Sequence, residues 1–363
     1  MELSARSKPG CSAGGRNGAD NRAEAEKRLD QGGTEMLRRN LWVAALVSLA
    51  ALGCTAVRAA DLTPIEVHIT RDSPTFLMSQ AAADAGIYKK HGIDLHVKEV
   101  GFAALLAELG SHAVDISITY PGIPAVSLMN KGRDIVALHG VFGLQNSFIV
   151  KKDSPYKTIA DLKGKKVGVF SLGSSAFAVY RTISRERYGI NLKTDLQSVE
   201  APPPVLRGLI DKGEIEAMMT LSGQEAAALG TGKYRILFDA QADWIKQNGE
   251  PLIWSSLLVA YRDWIEKDPA RAKNFVAAVD EAIKWCIANA DMLVDKYPQQ
   301  LDAQTPEAAA VMKDWLKHDS ILLADWDQKV IDSNWKFLEL AQKEGVIDAV
   351  PAKDKHAVDL LHH

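Results

Sequence analysis

The sequence is short of cysteine, of strong net charge and of any apolar run long enough to cross a bilayer. Cysteine occurs three times in 363 residues, at Cys11, Cys54 and Cys286, too seldom for a disulfide framework. The formal net charge is only −3, and a mildly acidic chain makes a poor partner for nucleic acid, whose phosphates call for clustered Lys and Arg. The apolar run over 41–53 falls short of the about 20 residues that a spanning helix needs.

Signatures of catalysis are missing as well. Gly168 and Gly173 match the outer glycines of a dinucleotide fingerprint whose middle position holds Phe170, and Gly164-Lys165-Lys166 lacks the rest of a P-loop. No G-x-S-x-G surrounds Ser174 or Ser222. The nine histidines include no H-E-x-x-H, and His91 and His96 lack the helical spacing of a metal pair. These absences point to a protein with no catalysis, no metal and no cofactor.

What is present begins with an export signal. Residues 1–35 are polar, carry six glycines and show no apolar periodicity. They are followed by Met36, Arg38 and Arg39, the apolar run, and small residues ending at Ala59. Met36 therefore reads as the true start, 1–35 as a misassigned leader and 36–59 as a signal peptide. Ala51-Leu52-Gly53-Cys54 makes a poor lipoprotein box, since Ala51 and Leu52 stand where Leu and a small residue are favoured; acylation of Cys54 is the lesser alternative to a free periplasmic protein. Cleavage after Ala59 removes nine Lys/Arg and six Asp/Glu, taking the charge to −6, and leaves Cys286 alone, so no internal disulfide can form.

The mature chain alternates short apolar strands with helices, the pattern of parallel-rich α/β sheets. Strands are expected over 65–69, 95–100, 114–119 and 135–141, then over 166–170, 196–199, 217–220 and 234–238, with helices between them. A late buried strand is expected over 252–260, and amphipathic helices over 269–297, 306–316 and 324–344. Two sheets with a late return imply two lobes, 60–150 with 253–363 and 151–252. A hinge of two strands near 148–152 and 252–256 would let them close on a ligand.

Three stretches carry a family resemblance. They are Ala85-Gly86-Ile87-Tyr88-Lys89-Lys90-His91-Gly92-Ile93-Asp94-Leu95, the segment from Thr158 through Asp161-Leu162-Lys163-Gly164 to Val169 with Ser171 to Ser175 after it, and Leu206-Arg207-Gly208-Leu209-Ile210-Asp211-Lys212-Gly213 to Ala217. Over residues 65 to about 345 the chain resembles the periplasmic solute-binding proteins of importers for nitrate, sulfonates and taurine. It departs from them at Leu109 to Asp115, before the third strand. The resemblance implies a two-lobed periplasmic binding protein type II fold, a small organic anion held between the lobes, delivery to an ABC permease in the inner membrane, and no catalysis.

In open parallel sheets ligands sit beyond the carboxyl ends of strands. That rule selects Ser73, Thr75 and Phe76 after the first strand, where Arg71 and Asp72 form a surface pair, and Tyr120, Pro121 and Gly122 after the third. In the second lobe it selects Ser171, Gly173, Ser174 and Ser175, then Ser222 and Gln224. Trp254, with Gln145 and Asn146, lies near the crossings. Ser171 to Ser175 join a strand to a long helix whose first amides lack backbone partners, an arrangement suited to a sulfonate, carboxylate or nitrate; a plain serine N-cap is the alternative. Aromatics at Phe76, Tyr120, Phe177 and Trp254 leave open a pyrimidine, a flavin or an aromatic carboxylate as ligand, and a periplasmic sensor of the same fold remains a further alternative. The pyrimidine synthase of thiamine biosynthesis, which resembles the family in fold, would need a cysteine-rich motif that this chain lacks. The mature protein is expected to be a monomer.

Overall fold

A computed structural model describes residues 62–70, 74–144, 146–221, 224–318, 321–323 and 325–362. The expected leader and signal peptide, Cys54, Arg71, Asp72, Ser73, Gln145 and Ser222 lie outside the described residues. Among the described residues no helix is long and apolar enough to cross a membrane.

Apolar runs build the first lobe. Strands β1 (Thr63–Thr70) and β2 (Ile93–Val100) pair in parallel, with Val67 opposite Val97. Strands β3 (Ile116–Tyr120) and β4 (Ile135–Phe142) are buried at every residue, as befits strands covered on both faces. Where one sheet per lobe was expected, β1 and β2 form a two-stranded sheet of their own beside the sheet of β3 and β4; the second lobe has a single sheet, of β5 (Phe148–Lys151), β6 (Lys166–Val169), β7 (Gln197–Glu200), β8 (Ala217–Met219) and β9 (Tyr234–Phe238) in the order β7-β6-β8-β5-β9. The last strand, β10 (Ser256–Tyr261), returns to the first lobe between β3 and β4 and runs antiparallel to both. In the same way β5 runs antiparallel to β8 and β9.

The helices that matter below are α1 (Phe102–Gly110) and α2 (Gly122–Asn130) in the first lobe. The second lobe carries α3 (Ser175–Tyr188), α4 (Pro203–Lys212), α5 (Gln224–Gly230) and α6 (Ala240–Asn248), and α7 (Pro269–Ala288), α8 (Pro306–His318) and α9 (Gln328–Lys343) follow β10. A single helix over 269–297 does not form. Asn289 leaves helical geometry at φ −111° and ψ 21°, and a separate short helix follows over Ala290–Lys296.

Because β5 and β10 are each antiparallel to their neighbours, the carboxyl edges of the two sheets face each other. The chain leaves the carboxyl end of β4 at Phe142 and enters β5 at Phe148, opposite Met219 of β8. The first crossing is thus 143–147, and β5 lies wholly within the second sheet rather than in the hinge. The second crossing, 249–255, is not a strand, although 252–256 was expected to be one. Its buried amides are met by side chains instead of a neighbouring strand: Leu252 N donates to Gln241 Oε1 at 3.2 Å and Ile253 N to Asn334 Oδ1 at 2.9 Å. Ladder pairing begins only at Ser256.

The C-terminal helices do not belong to the first lobe alone. On α9, Phe337 packs edge-on against Trp244 of α6 with ring centroids 5.6 Å apart, and Lys343 pairs with Glu186 of α3 at 2.9 Å. On the other side α8 packs against α5 so closely that a Cβ on Gly230 would stand 2.7 Å from Ala308 N. The tail then returns to the first lobe, where Val358 N donates to Ala137 O at 3.0 Å. Both helices therefore bridge the lobes.

Asn334 is fully buried and also donates from Nδ2 to Pro251 O at 2.8 Å. Asn334→Ala strands a buried N–H and a part-buried carbonyl of the second crossing, and should lower unfolding stability by about 2–4 kcal/mol in a urea melt. A loss below about 0.5 kcal/mol would mean that water reaches this crossing.

Candidate functional site

The Ser171–Ser175 loop leaves the carboxyl end of β6 and opens α3. Ser174 is the N-cap: its Oγ accepts from Phe177 N at 3.1 Å and donates to Ser171 O at 2.9 Å. Ser171 Oγ accepts from Gly173 N at 3.2 Å. Two of the four candidate residues thus hold the turn itself. Ser175 differs, being nine-tenths buried with an Oγ that has no hydrogen-bond partner. Beside it the amides of Ser175 and Ala176 are helix-start donors that these bonds do not use. A Cβ at Gly173 would meet only Ser171 Oγ, at 3.8 Å, so the backbone there borders open space.

Across the cleft, α2 begins beside α3, and Tyr120, Ala125 and Val126 share one apolar cluster with Phe177 and Tyr180. Tyr120 is 1% exposed and donates to Leu106 O at 3.2 Å; burial raises its phenol to about 12. Its ring is core, not cleft wall. Gly122 N donates to Trp254 O at 3.0 Å, and a Cβ on Gly122 would lie 2.6 Å from that oxygen. The glycine that follows Pro121 is therefore required by the second crossing packed on it, and its helix-start amide is already engaged. Trp254 is fully buried against Trp335, with its indole N–H donated to Asn334 O at 3.3 Å. Its backbone borders the site and its ring does not.

The remaining candidates are dispersed. Phe76 lies edge-on to Tyr297 with centroids 5.0 Å apart, and the Thr75 carbonyl accepts from Ser79 Oγ at 3.3 Å. Gln224 opens α5, where its Oε1 is buried without a partner and its carbonyl accepts from Arg207 at 3.4 Å.

Sequence reasoning missed the next residue. Glu225 is 5% exposed, and its Oε2 lies 2.5 Å from Thr220 Oγ1, which accepts from Ser147 N at 2.9 Å and faces Ser147 O at 3.1 Å. Asn146 Nδ2 donates to Thr220 O at 2.8 Å, and the Tyr180 hydroxyl donates to Asn146 O while accepting from Ala240 N at 3.1 Å. This network ties the first crossing to β8, α3 and α6. Burial pushes the Glu225 carboxyl up to about 7, against the lowering effect of the Thr220 hydrogen bond. A protonated carboxyl suits the geometry, because it donates to Thr220 Oγ1 and frees that hydroxyl's single proton for Ser147 O. The only sequence signal is position: Glu225 precedes three alanines at the start of a helix, where an acid reads as ordinary charge complementing the helix dipole.

Two cavities distinguish the edges of the sheets. One of about 700 Å³ lies at the amino ends of β1 and β3, among Pro64, Asp115, Trp264 and Arg271, away from the carboxyl edges. One of about 430 Å³ lies at the facing carboxyl edges, reached by Asn146, Glu225, Gln241 and Ile321.

A Glu whose pKa is raised on folding stabilises the fold at low pH, and that stability is lost as pH rises from about 4.5 through about 7. Glu225→Gln removes the titration. From pH 5 to pH 8 the variant should therefore gain on the parent by about 3 kcal/mol, measured by denaturant unfolding at each pH. A gap that does not change with pH would show that Glu225 is ionised throughout.

Known proteins resemble this chain in sequence and in fold. The family described as NMT1/THI5 like matches residues 73–292. A Brucella abortus (strain 2308) protein named as a binding protein is 26% identical over 254 residues, 69% of this chain and 75% of the relative. An Escherichia coli (strain K12) protein named as an aliphatic sulfonates-binding protein is 28% identical over 250 residues, 67% of this chain and 74% of the relative. Among solved structures, the periplasmic aliphatic sulphonate binding protein SsuA from Escherichia coli superposes with a TM-score of 0.64 at 20% identity, over 81% of this chain and 91% of that one. The desulfurization enzyme DszB superposes at 0.58 with 16% identity, over 82% and 96%. A binding protein and an enzyme thus share this architecture, which is the two-lobed type II binding-protein fold. With more than half of its length matched, the chain belongs to the NMT1/THI5-like family.

Proposed function

We propose that the mature chain is the periplasmic substrate-binding component of an ABC importer for a small organic anion. Sulfonates come first, with taurine and nitrate as related candidates. The observation that carries this reading is the start of α3: a buried Ser175 Oγ without a partner, next to two helix-start amides, on the carboxyl edge that faces the other lobe. Such a site offers several donors and the positive end of a helix dipole to an oxyanion without any lysine. The relative named for aliphatic sulfonates supports the choice of anion. The partner would be an inner-membrane permease, and the protein would act as an exported monomer.

Turnover is the rival, because DszB has the same fold. The residues here favour binding. Cys286 is fully buried, its thiol donates to Leu77 O at 3.5 Å, and burial holds its pKa far above the ordinary range. It has neither the ionisation nor the access a nucleophile needs.

Calorimetry with butane-1-sulfonate, taurine and nitrate, followed by NMR of the recovered ligand, tests this. A sulfonate should bind one to one and return unchanged; a consumed ligand would make the protein an enzyme. Two serine variants separate the roles at α3. Ser174→Ala should cost about 1 kcal/mol of stability through the lost cap, whereas Ser175→Ala should leave stability alone and weaken sulfonate binding about ten-fold, the worth of one charge-assisted hydrogen bond. Unchanged affinity in Ser175→Ala would remove the anion from this helix start.

A further inference from the structure

The cavity of about 430 Å³ at the facing carboxyl edges is polar at its floor and apolar on its walls. Leu144 and Asn146 come from the first crossing, Glu225 from α5 and Gln241 from α6, while Trp315 of α8 and Ile321 close it from the other side. Ile321 is tied to the first crossing, since its carbonyl accepts from Gly143 N at 2.9 Å, and two residues on Leu323 N donates to Val141 O of β4 at 3.1 Å. The volume suits a small organic molecule.

The floor has a fixed hydrogen-bond pattern. Gln241 is 4% exposed; its Oε1 accepts from Leu252 N at 3.2 Å, which sets the orientation of the amide, and its Nε2 has no partner. A buried N–H₂ in that position asks for an acceptor, and leaving it unmet costs free energy. Across from it stand the carboxyl of Glu225 and, at the start of α6, Asp239, whose Oδ1 accepts from Ala242 N at 3.0 Å. Asp239 disfavours a carboxylate there, as does Glu225 once ionised, and both carboxyl groups accept from an N–H. Lys246 and His318, which also reach the cavity, are both exposed and mark its mouth.

We infer that this cavity is a subsite for an amide-type group, an N–H donor beside a carbonyl acceptor, carried on a flat or apolar body that lies against Trp315. The carbonyl takes the Gln241 N–H, the amide N–H meets Glu225, and the body covers Leu144, Ile236 and Ile245. The inference rests on the reading that small molecules bind between the lobes, and not on their being anions.

Benzamide is the probe, titrated into the ¹⁵N-labelled purified protein while the Trp315 indole and Gln241 side-chain resonances are followed. Both should shift and saturate. Benzoate, which sets a carboxylate against Glu225 and Asp239, should bind at least ten-fold more weakly, and acetophenone, which lacks the N–H, several-fold more weakly. With all titrations run at pH 8, where Glu225 is ionised, Glu225→Gln removes one of the repelling charges and should shrink the preference for benzamide over benzoate to within about three-fold. Trp315→Ala, a change on a half-buried helix face, should weaken benzamide about ten-fold and stands in if the Glu225 variant does not fold. Unmoved resonances, equal binding of benzoate, a preference unchanged in Glu225→Gln, or a benzamide affinity unchanged in Trp315→Ala would overturn the inference. Sulfonate titrations read the anion site separately: their failure would sink the proposed transport substrate and leave the benzamide result as it stands.

Discussion

Two chain crossings must be buried without the help of a sheet, and much of the structure follows from how that is done. A backbone N–H in a dry interior needs a partner. Among the described residues of 143–147 and 249–255, Gly143 N finds the backbone carbonyl of Ile321, and side chains serve the amides of Ser147, Leu252 and Ile253. Asn334 and Gln241 hold the second crossing, and Thr220, backed by Glu225, holds the first. The same residues therefore set where the lobes meet and what faces the space between them.

Close packing around the crossings explains residues that otherwise resemble ligand contacts. Gly122 is glycine because Trp254 O sits where its Cβ would be. The bridging of both lobes by α8 and α9 adds to this. Any closing motion has to pivot about the crossings while α3 and α6 keep or slide their contacts with α9, a shear as much as a hinge.

The parts of this architecture that were legible in the sequence are those whose physics is local. The runs at 135–142 and 256–261 are apolar at nearly every position and became buried strands; Gly189 and Gly213, both at positive φ, end α3 and α4. The serine-rich turn before α3 was recognisable as a helix start, and Ser174 proved to be its cap. The rest depended on distant partners. Leu252 to Trp254 are as apolar as a strand, yet they form none, because Gln241 and Asn334, 11 and 81 residues away, take the hydrogen bonds first. In the sequence those two look like the polar faces of amphipathic helices. Glu225 looks like a helix-start acid and is buried, and Trp254 looks like a ligand-stacking ring and is core. A polar residue inside an amphipathic pattern says nothing of whether water or a buried amide is its partner.

The central claim is that a small oxyanion is held at the start of α3 between the lobes. A crystal structure of the mature protein with butane-1-sulfonate tests it most directly. The account predicts sulfonate oxygens within hydrogen-bonding distance of Ser175 Oγ and of the Ser175 and Ala176 amides, facing the first lobe. A sulfonate bound elsewhere, with the Ser175 hydroxyl still unpartnered, would contradict it.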